Sequence, residues 1–230
     1  AKLKKSDGYG VRWATTLNYE VQGLGDNHNL SFLVGNEVLA SKSDYTEIYG
    51  VGYPEGFTMD DAFGMINMTT PSLGQDYFKG EIGTPNHTLS WFGRANYSYK
   101  GKYLLTATFR ADGSSKFAPS HQWGYFPAAA AAWRISDEAF MENTRDWLDN
   151  LKLRVSYGTS GSDNIDASLW RETWKTKQIT VDGEKVTTYV PGDMKGNPDL
   201  KWETTISRNL GVDFGFFNNW VRGSLDYYWN

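Results

Sequence analysis

Residues 91–133 read WFGRANYSYKGKYLLTATFRADGSSKFAPSHQWGYFPAAAAAW, and this stretch decides the fold. It predicts two antiparallel strands that meet at a tight turn over 99–102, then a polar loop and a third strand. Side chains in a strand alternate between its two faces. The second strand therefore has one apolar and one mostly polar face, with Tyr103, Leu105, Ala107, Phe109 and Ala111 opposed to Lys102, Leu104, Thr106, Thr108, Arg110 and Asp112.

The composition is typical of a chain rich in strands and turns. The 230 residues include 24 Gly, 14 Tyr and 10 Trp, and aromatic residues favour strands while glycine favours turns. A net charge of -4 gives no basic footprint for nucleic acid. The chain has no cysteine, which excludes disulfides and cysteine-based metal or nucleophile sites.

No apolar run approaches the roughly 18 residues of a membrane-spanning helix. Hydropathy is nearly blind to transmembrane β-barrels, however, because only every second residue of their strands faces lipid. The basic residues at the start are not followed by the apolar core of a signal peptide. The chain opens close to a predicted strand and stops within another, so we expect an internal section of something longer.

Eight predicted strands are joined by connections whose lengths alternate. The strands cover about 9–22, 28–41, 88–99, 102–112, 123–135, 151–159, 200–216 and 220 onward. Connections on one side of such a meander are mostly short, at 23–27, 100–101, 136–150 and 217–219. Those on the other side are long, at 42–87, 113–122 and 160–199. Outer-membrane barrels show this asymmetry, with short periplasmic turns and long extracellular loops.

Three local structures are predicted within the connections. A short helix is expected over 58–68, with Thr58 as its N-cap. On the side of the short connections, Ser136 is predicted to cap an amphipathic helix within 136–150. A hairpin is expected around Asp182 and Gly183.

Aromatic residues near the strand ends predict two belts at the membrane interfaces, where such rings prefer to lie. The periplasmic belt would contain Tyr19, Tyr97, Tyr99, Tyr103, Trp133 and Phe216. The outer belt would contain Tyr9, Trp13, Trp91, Tyr157 and Trp202. The alternative is a soluble β-sandwich in which these rings fill the core or bind carbohydrate.

Arg208 conflicts with the barrel scheme because it falls on the apolar face of the seventh strand. An arginine that faces lipid near the bilayer midplane costs roughly 2–4 kcal/mol. Two explanations stay open at this point. Either a β-bulge shifts the local register, or Arg208 lies nearer to an interface.

The sequence resembles the barrel of SusC/RagA-type TonB-dependent transporters from Bacteroidota outer membranes. The resemblance is carried by 95–106 (ANYSYKGKYLLT), 109–117 (FRADGSSKF), 132–136 (AWRIS), 151–158 (LKLRVSYG), 196–204 (GNPDLKWET) and 210–219 (LGVDFGFFNN). It implies an all-β fold in which antiparallel up-and-down strands form part of a large transmembrane β-barrel with long extracellular loops. We expect residues 1–230 to be a section of that barrel, without the plug domain and the remaining strands.

The resemblance also implies a location in the bacterial outer membrane and a role in nutrient uptake. The cargo would be an oligosaccharide or peptide, with a SusD/RagB-like surface lipoprotein as lid. The TonB complex would supply energy through the plug region, and outer-membrane lipid would surround the barrel.

No catalytic constellation is found, so we predict that the chain is not an enzyme. The three histidines, at 28, 87 and 121, lack metal-ligand spacing, and no metal or cofactor is expected. Bound calcium at 163–166 (Asp-Asn-Ile-Asp) is an alternative, but this run lacks the glycine and distal glutamate of an EF-hand. A turn-capping role is favoured for it.

Two sets of residues are candidates for binding. Rings in the long connections would stack on substrate, or else pack against the lid or neighbouring loops: Tyr49, Tyr53, Phe57, Trp170 and Trp174. The polar strand face would line the lumen and contact the plug: Arg12, Arg94, Arg110, Arg154, Glu203 and Asp213. Ion pairs and plug docking are favoured for this second set over contacts with cargo.

Overall fold

The computed structural model describes residues 2–50, 52–66, 78–167, 169–181 and 184–230. The strands are β1 (Lys2–Glu20), β2 (His28–Tyr49), β3 (Phe78–Glu81), β4 (Asn86–Tyr99), β5 (Tyr103–Ser114), β6 (Trp123–Arg134), β7 (Leu148–Ser162), β8 (Trp174–Val181), β9 (Glu184–Pro191), β10 (Glu203–Phe216) and β11 (Val221–Trp229). One α-helix, α1, covers Met59–Gly64, and two 3₁₀ helices cover Ile135–Asp137 and Ala139–Thr144.

The eight predicted strands form one sheet in chain order, β1-β2-β4-β5-β6-β7-β10-β11. The short strand β3 pairs with β2, and β8 and β9 form a separate two-stranded sheet. Neighbours from β4 to β7, and then β10 and β11, run antiparallel. The up-and-down topology is therefore confirmed. Because these strands lie in one sheet rather than two facing ones, the β-sandwich alternative is wrong.

The chain divides into two compact units. The first contains Ala1–Arg12 and Leu39–His87, with the start of β1, the end of β2, β3 and α1. The second contains Trp13–Val38 and Thr88–Asn230, with the other parts of these two strands and the strands from β4 onward. The candidate residues on β4 to β11 all belong to the second unit.

The short turns follow from residues that tolerate positive φ. Between β4 and β5, Lys100 and Gly101 have φ of 52° and 67°, and the Lys102 amide donates to the Tyr99 carbonyl at 3.0 Å. Positive φ at both central positions is the type I′ geometry that matches the twist of a hairpin. The predicted turn at 99–102 is confirmed.

The short helix and the hairpin predicted within the long connections are both confirmed over the residues that the structure describes. Thr58 caps α1 through a capping box with Asp61, although α1 ends at Gly64 and the predicted residues 67–68 lie outside the described ranges. Strands β8 and β9 pair from Trp174↔Pro191 to Val181↔Glu184. The hairpin is thus present, while its turn at 182–183 also lies outside the described ranges.

The predicted amphipathic helix within 136–150 is wrong. The connection holds only the two 3₁₀ helices, and β7 already begins at Leu148. No side chain caps either 3₁₀ helix, and Ser136 is buried and donates to Asp137 instead. The helical pattern relied on Trp147 and Leu148, but Leu148 belongs to β7, where it pairs with Phe216. The remaining residues between Arg134 and Leu148 form the two 3₁₀ helices instead of an α-helix.

The main sheet has an apolar and a polar face. On β5, Tyr103, Leu105 and Phe109 are 42–52% exposed, and the residues between them are more covered. The same alternation continues on β7 with Leu153, Val155 and Tyr157. No helix in the described ranges is long and apolar enough to span a membrane.

Candidate functional site

The polar face of β7, β10 and β11 carries a closed network of charges. The Arg154 guanidinium lies 2.8 Å from Asp213 and 3.0 Å from Asp226. The Lys152 ammonium lies 3.5 Å from Asp213, and the Asn209 amide donates to Asp226 at 3.3 Å. Two cations thus neutralise two carboxylates within the wall.

A second arginine is fixed where β4 and β5 pair. Arg110 Nε lies 2.8 Å from both carboxylate oxygens of Asp112. Its terminal nitrogen donates to Ser90 at 2.9 Å and lies 3.7 Å from Glu37. The guanidinium also lies over the Phe92 ring, 5.6 Å from its centroid. Ser90, Glu37 and Asp112 are buried, so this arginine is held by its neighbours.

The other predicted lumen residues are Arg94 on β4, Glu203 on β10 and Arg12 on β1. Arg94 donates to Thr108 at 3.3 Å on the same face. Glu203 begins β10 opposite Ser162, and Arg12 lies on β1. Among the six predicted residues, Arg154 and Asp213 contact each other. That the set faces a lumen or plug stays a prediction.

The five predicted substrate rings fall into separate groups. In the first unit, Tyr53 stacks on Phe57 at 6.3 Å, and the Lys2 ammonium lies 5.3 Å from the Tyr49 ring centroid. In the second unit, the Arg171 guanidinium covers Trp170 at 4.5 Å.

Trp174 begins β8 and is 61% exposed. Of the five rings, all within the described ranges, Trp174 has the largest exposed fraction. The substrate role of all five stays a prediction.

At the end with the long connections, Trp202 joins a buried aromatic cluster with Phe117 and Phe126. The ring centroids of Phe117 and Phe126 lie 5.4 and 5.5 Å from Trp202. The Trp202 indole donates to the Gln122 carbonyl at 2.9 Å. We call these three rings the mouth cluster. The assignment of Trp202 to a lipid-facing belt is therefore wrong: its ring packs on Phe126, which shares the polar face with Arg110.

Two glycines make room for the mouth cluster. A Cβ at Gly161 would lie 2.0 Å from the Phe126 ring, and one at Gly124 would lie 2.5 Å from it. Real Cβ atoms do not approach so closely. The tip of the Phe126 ring therefore lies over the strand backbone at these glycines, and the ring meets Trp202 edge-on.

Asp163, just after β7, contacts residues at the end of β5 and in the loop that follows it. Its carboxylate accepts from the Ser114 hydroxyl at 2.7 Å, and its carbonyl accepts from the Lys116 ammonium at 2.9 Å. These are long-range contacts rather than local ones, and the turn-capping role of 163–166 stays a prediction. In the described ranges no three metal-ligating side chains gather at one place.

At the end with the short connections, Glu138 accepts three side-chain hydrogen bonds. Tyr103 donates at 2.7 Å, and Trp133 and Lys102 each donate at 3.1 Å. These bonds, led by the one from Tyr103, lower the pKa of Glu138 to about 2. Sequence reasoning missed this site, although an acid just after a strand, beside a lysine and aromatic residues, was a usable signal.

Three residues of the predicted periplasmic belt, Tyr99, Tyr103 and Trp133, lie in a row of rings around Glu138. The row runs through Tyr99, Tyr103, Trp133 and Phe140, with centroids 6.2, 6.3 and 6.5 Å apart in turn. Further along this end, Trp147 stacks on Phe216 at 6.0 Å. The short connection that carries Glu138 is thus packed onto the row.

We expect Glu138→Gln to lower the stability of the folded protein at pH 7 but not at pH 2. The folded-state pKa lies below the ordinary glutamate pKa of 4.5, so the ionised carboxylate stabilises the fold above about pH 4.5. This stabilisation is lost as the pH falls from there towards 2. Urea unfolding of the parent protein at several pH values would measure it.

Glu142→Gln is the matched control, because Glu142 is exposed and makes only a surface ion pair with Arg145 at 3.8 Å. It should change the unfolding midpoint little at any pH. An effect of Glu138→Gln that stays the same from pH 7 to pH 2 would contradict the role of the ionised carboxylate.

Arg208 lies on the apolar face in an aromatic setting. It pairs with Tyr157 on β7 and Trp229 on β11, and its guanidinium lies 5.8 Å from the Tyr157 ring centroid. The register shift in this pairing falls between Gly215 and Phe216, at the other end of β10. The bulge explanation is therefore rejected, and the position near an interface is favoured.

A family model described as "TonB dependent receptor-like, beta-barrel" matches residues 3–230. The chain belongs to this family. It is 35% identical to TonB-dependent receptor P26 of Formosa agariphila over 229 residues, covering 100% of this chain and 22% of that receptor. It is 37% identical to TonB-dependent receptor SusC of Bacteroides thetaiotaomicron over 153 residues, covering 63% of this chain and 15% of SusC.

The fold agrees with solved structures of a related complex. A chain in the structure of the RagAB peptide transporter superposes with a TM-score of 0.81 at 22% identity, covering 99% of this chain and 24% of that one. The chain thus spans about a quarter or less of the length of these relatives.

Membership in the TonB-dependent receptor barrel family confirms three predictions. The sheet is part of an outer-membrane β-barrel, which confirms both the fold class and the location. The prediction that the chain is not an enzyme is also confirmed, because the relatives are receptors and transporters.

Proposed function

We propose that residues 1–230 form part of the barrel wall of a TonB-dependent importer for oligosaccharides or peptides. The observation that carries this proposal is the division of the sheet into an open apolar face and a polar face with paired charges. A strand wall between lipid and a water-filled lumen needs both faces. The relatives named SusC and RagAB peptide transporter support the same class.

The paired charges suit a wall that contacts a plug domain. The Arg154 network has two cations and two carboxylates, so it leaves no strong single-sign field that would retain charged cargo. The Arg110 guanidinium is also paired within the wall, with Asp112 and Glu37. The proposal also includes the TonB complex as the source of energy and a SusD/RagB-like lipoprotein as the lid.

Uptake by whole cells tests the proposal. Cells with and without the gene for the full-length parent protein would be given labelled oligosaccharides and labelled peptides in separate assays. We expect the gene to be required for uptake of one class, and expect that uptake to stop when the proton gradient is collapsed. Uptake of both classes at the wild-type rate in cells without the gene would overturn the proposal.

Among the loop rings, Trp174 is the best placed to contact cargo. It shares a face of the β8–β9 hairpin with Tyr189, because Trp174 pairs with Pro191 and Thr176 with Tyr189. These two rings are 61% and 73% exposed. Exposed rings can stack on a sugar or on a peptide side chain, whereas Tyr53 and Phe57 already stack on each other.

We expect Trp174→Ala to raise the apparent KM for uptake about two- to tenfold, since an aromatic contact contributes roughly 0.5–1.5 kcal/mol. Ile179→Ala is the matched control, because Ile179 lies on the opposite face of the same hairpin. It should leave the KM unchanged. An unchanged KM for Trp174→Ala, or equal changes in both variants, would remove Trp174 from the candidate site.

A further inference from the structure

Arg208 is a cation on the lipid-facing side of the barrel wall. Its neighbours along β10 on this face are Ile206 and Leu210, which are 37% and 45% exposed. Across the sheet it lies between Tyr157 and Trp229. Within the described ranges it makes a cation–π contact with Tyr157 and no ion pair. Its charge is therefore available to a group from outside the chain.

The position of Arg208 along β10 places it near the extracellular interface. It lies eight residues before Phe216, which stacks on Trp147 at the periplasmic end. A barrel strand crosses the hydrocarbon core in about 9–11 residues. The Arg208 backbone therefore lies one to three residues short of the far side of the hydrocarbon core, and its long side chain extends to the headgroups of the outer leaflet.

The hydrogen-bonded row through Arg208 leads towards the membrane interior. Ala107, Ala129, Tyr157 and Arg208 are successive partners in this row. Ala107, however, lies only four residues from the periplasmic Tyr103. Partners in one row therefore lie at different depths in the membrane, because barrel strands are tilted. The row thus descends from the headgroup level into the hydrocarbon region.

A shallow apolar depression lies along the lower part of this row. Its volume is about 490 Å³. Its lining includes Ala95, Ala107, Ala129, Ala131, Val155 and Tyr157. The alanines form the floor because they are small, and Tyr157 is shared with the Arg208 contact. A cation at the level of the headgroups therefore lies next to an apolar depression at the level of the acyl chains.

We propose that Arg208 and this depression bind a phosphate-bearing lipid of the outer leaflet. The guanidinium would hold the phosphate through charge-assisted hydrogen bonds, for which its planar fork is suited. Tyr157 and Trp229 would flank the headgroup, as aromatic rings do at this level, and one acyl chain would lie over the alanines. The inference requires only that the barrel lies in the outer membrane, and it does not depend on cargo.

Native mass spectrometry of the detergent-solubilised parent protein tests this proposal. The probes would be diphosphorylated lipid A, its dephosphorylated form and inorganic phosphate, which separates a lipid site from a phosphate site. We expect the phosphorylated lipid to bind most tightly, and Arg208→Gln to weaken it about tenfold. Ala129→Leu, which fills the depression, should also weaken binding of the lipid.

Arg222→Gln is the matched control. Arg222 is an arginine near the start of β11, where it pairs with Gly215 near the periplasmic end, so its removal should leave lipid binding unchanged. Retained heat-modifiable mobility on a gel would show that each variant barrel is folded. Equal binding of the phosphorylated and dephosphorylated lipids, or equal binding by wild type and folded Arg208→Gln, would overturn the proposal.

Discussion

Replacing Phe117 with alanine should release the extracellular loops from the barrel mouth. Phe117 is fully buried and packs on Trp202, which in turn lies on Phe126. Removing a buried phenylalanine ring typically costs about 3–5 kcal/mol. Local opening of 115–122 and 192–202 should become easier by about that amount, so their amides should exchange roughly a hundred- to several thousandfold faster.

Hydrogen exchange of the parent protein in detergent would measure this release. Phe140→Ala is the matched control, because Phe140 is 68% exposed and lies at the periplasmic end. It should leave exchange in the extracellular loops unchanged. Protection of both loops in Phe117→Ala at the level of the wild type would show that the mouth cluster does not hold them.

Strand positions and faces could be predicted from the sequence because they depend on local patterns. The alternation through Tyr103, Leu105 and Phe109 reports which side of β5 is apolar without knowledge of any partner strand. The turn at Lys100-Gly101 is likewise set by residues that accept positive φ. The alternation of connection lengths then indicated which end of the sheet faces the periplasm.

Contacts between distant parts of the chain could not be predicted in this way. Glu138 accepts from Lys102, which lies 36 residues earlier, because β5 and β6 pair and bring Tyr103 beside Trp133. Trp202 meets Gln122 across 80 residues, since two loops meet over the polar face. Each contact depends on the register between strands, which no single segment encodes.

The failed helix prediction has a related cause. The pattern in 136–150 was assigned to a helix because its apolar residues fit a helical period. Leu148 instead pairs with Phe216 in the sheet. Glu138 accepts hydrogen bonds from side chains on two strands, Tyr103 on β5 and Trp133 on β6. Tertiary pairing thus left only short 3₁₀ segments between Arg134 and Leu148.

An arginine placed on the two faces of β5 should have opposite consequences for the barrel. Ala107 lies on the apolar face, paired with Ala95 and Ala129, about midway along the membrane part of the strand. We expect Ala107→Arg to destabilise the folded barrel by about 2–4 kcal/mol, since no water or anion is available at this depth. Thr106→Arg puts the same side chain on the polar face, where Thr106 donates to Asn96, and should cost much less.

The two variants place the same new side chain at neighbouring positions of β5 but on opposite faces, so the main difference between them is the surroundings of the charge. Urea titration of the parent protein in lipid vesicles, followed by tryptophan fluorescence, would compare their free energies of unfolding. Arg208 shows that this face tolerates an arginine near the headgroups, so depth decides the outcome. If Ala107→Arg were no less stable than Thr106→Arg, the apolar face of β5 would not contact the hydrocarbon core.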